Sequence, residues 1–362
     1  MKRTFGSRRG RYLAKAGIFL LTLALIGGMA GCDGANNNPL PSQNLEIRTW
    51  YDLDAVRDNP GGHHTLMNDL DSTTDGYAEL AGPTAHGGKG WEPIIGYYSP
   101  APSAFADSVP EGFAGIFDGQ GHEIRDLFVN RPDESGAAIF SIVSGSVEDT
   151  GAVNATVTGR DSVGGLVASL DDSGSVTDSY YTGSVTGQRW VGGLIGMSYG
   201  SARNSRFAGT VTGEESVGGL VGWNGIGATL SNSYSTGDVT GGDSVGGLVG
   251  SSSSGSVNNS YSAASVAGDS SVGGLVGWNH EGVLSNCFWD METSGQSTSA
   301  GGTGKNTTEM KNIATFTDVA TEGLDVPWDM IAVASSVERN PSYIWNIVDG
   351  VTYPFLSWQS TE

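Results

Sequence analysis

Zinc hydrolysis needs two histidines four residues apart on a helix, with a glutamate between them. The nearest approach is His280-Glu281, with Gly282 next and Leu284 at the fourth position, so this chemistry is absent and no metal site is expected. Hydrolysis of a glycan needs two carboxylates facing one cleft. An adjacent acidic pair in the central part of the chain is Asp171-Asp172, in an Asp-Asp-Ser-Gly context that reads as a loop; on a strand, neighbours would point to opposite faces. Asp69, Asp71 and Asp75-Gly76 follow a calcium loop only loosely, one residue too long and without a closing glutamate. Cys287 shares a repeat position with Ser179, Ser205, Ser233 and Ser260, where a small side chain suffices, and reads as a packed thiol rather than a nucleophile. Binding chemistry is better served. Trp223 and Trp278 share a repeat position that Met197 and Ser251 fill in other units. Exposed, the two rings could stack on sugars; turned inward, they would cover glycine-rich backbone.

The frame that must hold these residues is a repeat. Val163-Gly164-Gly165-Leu166 returns at Val191, Val217, Val245 and Val272, at steps of 28, 26, 28 and 27 residues, and Gly136-Ala137-Ala138-Ile139-Phe140 is a looser copy upstream. Such a period marks an array in which each unit buries its apolar face on the next. Between the glycines runs period-two alternation, as in Leu230-Asn232-Tyr234 and Val257-Asn259-Tyr261, which means strands. The expectation is an all-β fold: a parallel β-helix, or solenoid, of about 27-residue repeats with N- and C-terminal caps and rungs about 4.8 Å apart. Leu166, Leu194, Leu220, Leu248 and Leu275 should stack inside. Asp149, Asp178, Asn204, Asn232, Asn259 and Asn286 form another column, either a ladder of stacked amides or a row of residues that turn the chain.

Before the repeats, Thr49 and Asp52 have the spacing of a capping box, which predicts a short helix over 50–57 ended by Asn59-Pro60-Gly61-Gly62. Residues 64–70 and 94–98 read as strands, and Gly112 to Phe128 as two strands around a glycine turn. After Asp290 the pattern breaks, and a segment is needed there to cover the last coil's unpaired edge. The domain reading is therefore 46–135 N-terminal cap and first coils, 136–291 repeats, and 292–362 C-terminal cap.

Residues 1–31 are basic and then apolar, the layout of an export signal, and Asp33 to Gln43 is a polar tether within residues 32–45. Met29-Ala30-Gly31-Cys32 resembles the lipobox of prokaryotic lipoproteins, which implies cleavage before Cys32 and a lipid on its thiol. Six of the 18 basic residues lie in the first 15 positions, which leaves 12 against 39 acidic residues in the rest. That surface repels nucleic acid and polyuronate chains, so no nucleic-acid partner is expected, and no cofactor.

The repeats resemble the GLUG-motif proteins, named for a Gly-Gly-Leu-Val-Gly core like that at Gly218 to Gly222 and Gly246 to Gly250; the first repeat departs at Ala168, where the last glycine would stand. Phe113 to Gly119 and Cys287 to Asp290 are similar to the segments flanking such repeats. The resemblance implies an envelope or secreted, adhesin-like protein, in a family where some repeats accompany immunoglobulin A-cleaving zinc metallopeptidase domains. The resulting expectation is a lipid-anchored, non-catalytic cell-surface protein, held to the membrane by Cys32 and contacting surface glycans or other surface proteins through Trp223 and Trp278. A glycan-cleaving β-helix enzyme and a structural envelope protein without a specific ligand are the alternatives.

Overall fold

The computed structural model describes residues 44–95 and 112–359, so the lipobox and Cys32 lie outside the described residues. Each repeat lays down four short strands, for example Asp161–Gly164, Val167–Leu170, Ser175–Thr177 and Tyr180–Thr186. Every strand pairs in parallel with its counterparts in the coils before and after. Four stacked sheets result. Sheet 1 has five strands, from Asp161–Gly164 to Ser270–Gly273, and sheet 2 has six, from Phe140–Val143 to Val276–His280. Sheet 3 runs from Leu45–Ile47 to Val283–Ser285, and sheet 4 from Glu123–Arg125 to Thr303–Lys305. The chain is a parallel β-helix, as the glycine spacing requires.

The leucine column forms the inner seam: Leu166, Leu194, Leu220, Leu248 and Leu275 are all fully buried, backed by Val163, Val191, Val217 and Val245. The glycines let sheets 1 and 2 lie against each other at backbone distance. A β-carbon on Gly222 would stand 2.5 Å from the main chain of Trp190 and Val191 in the preceding coil, and Gly250 and Gly277 repeat the clash against Ser216 and Ser244. Ala168 is tolerated because sheet 1 begins only at Asp161, so no strand crosses beneath it.

Two polar columns tie the coils together. Asp149, Asp178, Asn204, Asn232, Asn259 and Asn286 all adopt φ between 46° and 53°, the left-handed region that Asn and Asp enter most readily. They turn the chain, and some also form a ladder: Asn204 Nδ2 donates to Asp178 Oδ1 at 3.0 Å, and Asn286 Nδ2 to Asn259 Oδ1 at 3.1 Å. The two readings of this column therefore coexist. The buried serine column does more than fit. The Ser233 hydroxyl accepts the Ser205 amide at 3.1 Å and donates to the Ser231 carbonyl at 2.8 Å, and Ser179, Ser205 and Ser260 repeat this pattern. Cys287 continues the column, its thiol directed at the carbonyls of Val257 and Ser285.

At the N-terminal end the helix spans Trp50–Ala55, with both halves of the Thr49/Asp52 capping box formed, and tightens to 3₁₀ over Val56–Asp58. The strand expected over 64–70 forms as His63–Leu66. Gly112 to Phe128 carries Ile116–Asp118 and Glu123–Arg125 around the turn at Gln120 and Gly121. Of 94–98, only Ile94 and Ile95 are described, and Ile94 forms an isolated bridge to Phe140.

The C-terminal segment covers the last edge and then does something more. Ser299 Oγ receives the amides of Leu275 and Val276, and Thr303–Lys305 adds a rung beside Phe288–Asp290. Beyond that the chain turns back along the outside of sheet 4. There a column of Tyr180, Arg206, Tyr234, Tyr261 and Phe288 faces away from the core, and Trp328, Trp345 and Leu356 bury it in a second apolar cluster. Trp358 Nε1 reaches the Asn204 carbonyl at 3.0 Å, and Gln359 donates to the Tyr234 hydroxyl at 2.7 Å. Residues 292–359 are thus an end cover followed by a lateral strap.

Candidate functional site

Sheet register places Ser169, Met197, Trp223, Ser251 and Trp278 in one column at the ends of the sheet 2 strands. Trp223 and Trp278 are therefore two rungs, about 10 Å, apart along the axis. Opposite them, at the start of sheet 1, stands the column Ser162, Trp190, Ser216, Ser244 and Ser271, with φ between 50° and 56°. A hydrogen bond of 2.8 Å from Ser251 Oγ to Ser216 Oγ joins the walls. Between the two columns lies a cleft of about 350 Å³, walled by Trp190, Trp223, Trp278, Glu215 and Asp243 over a floor of serines. Four of the five left-handed positions carry serine. Trp190 is the exception, and a bulky residue in this region is costly, the kind of strain that concentrates at functional sites.

Each ring is held from one side. Trp223 takes the edge of Tyr199 at 5.0 Å, and its indole nitrogen donates to Ser253 at 3.3 Å. Trp278 is 42% exposed and lies flat against His280 at 5.6 Å. The Arg189 guanidinium sits over Trp190 at 5.0 Å. That guanidinium is itself fixed by two bonds to Asp161, at 2.8 and 3.1 Å. Asp161 is held below the usual carboxylate range by these bonds first and by Arg160 second, against the opposing effect of burial. Register pairs Glu215 with Asp243 on adjacent rungs, both side chains exposed. Asp243 accepts from the Ser270 hydroxyl at 2.6 Å and from Ser244 at 3.3 Å. These hydroxyl bonds, Ser270's foremost, lower its pKa and keep it ionised.

Of the residues singled out from sequence, Trp223 and Trp278 line this cleft, and Cys32 lies outside the described residues. Asp171 and Asp172 fall in a turn away from the cleft. Asp71 spends its carboxylate on Thr73 and Thr74, and Asp69 on His122 and the Glu123 amide. The Cys287 thiol is raised to about 12 by burial, which suits a packed thiol. Sequence reasoning missed Trp190, Glu215 and Asp243. Their signal lay in the two positions before each Val-Gly-Gly, which read Asp-Ser, Arg-Trp, Glu-Ser, Asp-Ser and Ser-Ser down the repeats: one of the five pairs replaces serine by tryptophan.

A family model described as the GLUG motif matches residues 213–240, the coil that carries Glu215, Ser216 and Trp223. The chain carries the GLUG motif. Halomucin of Haloquadratum walsbyi is 37% identical over 161 residues, a match that takes in 44% of this chain but 2% of halomucin. A crystal structure described as a candidate immunoglobulin A1 protease from Bacteroides ovatus superposes with a TM-score of 0.59 at 19% identity, covering 89% of this chain and 94% of that one; at that identity the likeness is one of fold. GLUG repeats and the halomucin match together give the coarse class, a surface repeat protein.

Proposed function

We propose that this GLUG-repeat chain is a lipid-anchored, non-catalytic adhesion protein of the cell envelope that holds a surface glycan in the cleft between sheets 1 and 2. The observation that carries the reading is the convergence of Trp190, Trp223 and Trp278 on one groove together with two carboxylates and a serine floor. Stacked rings with a few polar groups are what a sugar's apolar face and hydroxyl rim require. Trp190→Ala with Trp278→Ala is expected to weaken glycan binding by about fivefold to 150-fold, at about 0.5–1.5 kcal/mol per stacking face, with the melting temperature unchanged. Trp223 is left in place because its contacts with Tyr199 and Ser253 make it part of the packing. A glycan-array screen followed by titration calorimetry checks this; undiminished affinity moves the contact face elsewhere on the solenoid.

The pairing of Glu215 with Asp243 favours a second reading, glycan cleavage, since the two rise on adjacent rungs about 4.8 Å apart. An ionised Asp243 would suit a nucleophile, leaving proton donation to the exposed Glu215. Release of reducing ends from the bound oligosaccharide, abolished by Glu215→Gln, would establish this reading in place of simple binding.

Anchoring rests on the lipobox-like run before Cys32. Cys32→Ser removes the sulfur that a thioether lipid needs, and is expected to shift the protein from the membrane pellet to the soluble fraction. Unaltered partition would mean that another segment anchors the chain.

A further inference from the structure

We infer that the cleft is built for an extended glycan bearing amines, a chain of amino sugars whose ammonium groups pair with Glu215 and Asp243 while its rings lie on the tryptophans. This deepens the glycan-binding reading and rests on it. The first argument is charge. The side chains lining the cleft include two carboxylates and no base; Arg189, which register sets beside Glu215 and which feels its charge, spends two hydrogen bonds on Asp161, so Asp243 is the carboxylate with no cation on the neighbouring rungs of its column. Asp243 is kept ionised by the hydroxyls around it, so a cation entering the cleft finds a permanent partner. Indole faces reinforce the preference, because the ring quadrupole attracts cations brought within about 6 Å. A uronate chain would meet like charge at the same place.

The second argument is spacing. Rungs repeat at about 4.8 Å, close to the advance of one sugar unit along a β-linked chain. Glu215 and Asp243, one rung apart, would then meet consecutive units, and Trp223 and Trp278, two rungs apart, alternate ones. Lining residues come from four successive coils, which suits an oligomer lying along the axis and not a single sugar set into a pit.

The test is calorimetric titration of the full chain at mildly acidic pH with four probes: the tetramer of β-1,4-linked glucosamine, its N-acetylated counterpart, cellotetraose and free glucosamine. The deacetylated tetramer should bind at least about tenfold tighter than the acetylated one, and molar salt should erode that margin. Glu215→Gln with Asp243→Asn should bring its affinity down to that of the acetylated tetramer; both positions are exposed, and thermal melting verifies the fold. Equal affinity for the two tetramers, or a preference that survives the double substitution, overturns the amine assignment and leaves glycan binding standing. Free glucosamine binding as tightly as its tetramer overturns the extended chain. Failure of all four probes, and of a wider glycan array, would sink the glycan reading itself.

Discussion

Leu220→Ala is expected to destabilise the protein by about 2–5 kcal/mol, through lost transfer energy and the cavity left behind. Leu220 is fully buried, stacked between Leu194 and Leu248. Its backbone is clamped on both sides: the Leu194 amide donates to the Leu220 carbonyl at 3.0 Å, and the Leu220 amide to the Leu248 carbonyl at 2.9 Å. The rungs cannot slide together to fill a void without breaking these bonds, so the cost should fall in the upper part of the range. A lower urea midpoint at unchanged slope is the readout. A midpoint equal to wild type would remove the leucine column from the list of what holds the array together.

The serine column should give the next largest effect. Ser233→Ala deprives the Ser205 amide of its acceptor and the Ser231 carbonyl of a donor inside a column shielded from solvent. The Ser231 carbonyl keeps the Asn204 amide as a donor, but an unsatisfied buried amide such as that of Ser205 costs about 1–3 kcal/mol. Ser233→Cys should cost less, because a thiol already serves at Cys287 in the same column. Urea unfolding of the two variants, with hydrogen exchange at the Ser205 amide, separates lost hydrogen bonding from mere size. Equal destabilisation by alanine and cysteine would assign the column to packing alone.

What could be read from the sequence was whatever stacking repeats. A rung must resemble the rung beneath it, so Leu166 and its copies, the glycine pairs and the asparagine turns each appear many times, and the parallel β-helix follows from their spacing. The serine column was visible too, but its residues share small size as well as a hydroxyl, and only the amide at 3.1 Å shows which property matters. Half of the cleft was hidden for a different reason. Trp223 and Trp278 announce each other by occupying one column, whereas Trp190 faces them from another sheet, across a mouth whose width is set by the fit of Gly222 against the Trp190 and Val191 backbone. The glycine period repeats that approach from coil to coil, but nothing in the period says which two columns it brings face to face. The strap has no internal copy at all: Tyr353, Trp358 and Gln359 find Asp290, Asn204 and Tyr234 through contacts far apart in the chain.

The strap also constrains how such a gene can change. Arrays of near-identical units expand and contract readily, because recombination between copies adds or deletes a whole unit in frame. Here the returning segment acts as a gauge: it leaves the last coil at Asp290, touches Tyr261 and Tyr234 on the way, and ends at Asn204 and Tyr180. Deleting a coil between Asn204 and Asp290 would carry Trp358 a full rung past Asn204, and inserting one there would leave it a rung short. In either case Asn204 would lose its indole and the aromatic column would be covered out of step. Keeping these contacts therefore requires the number of coils between Asn204 and Asp290 and the length of the strap to change together.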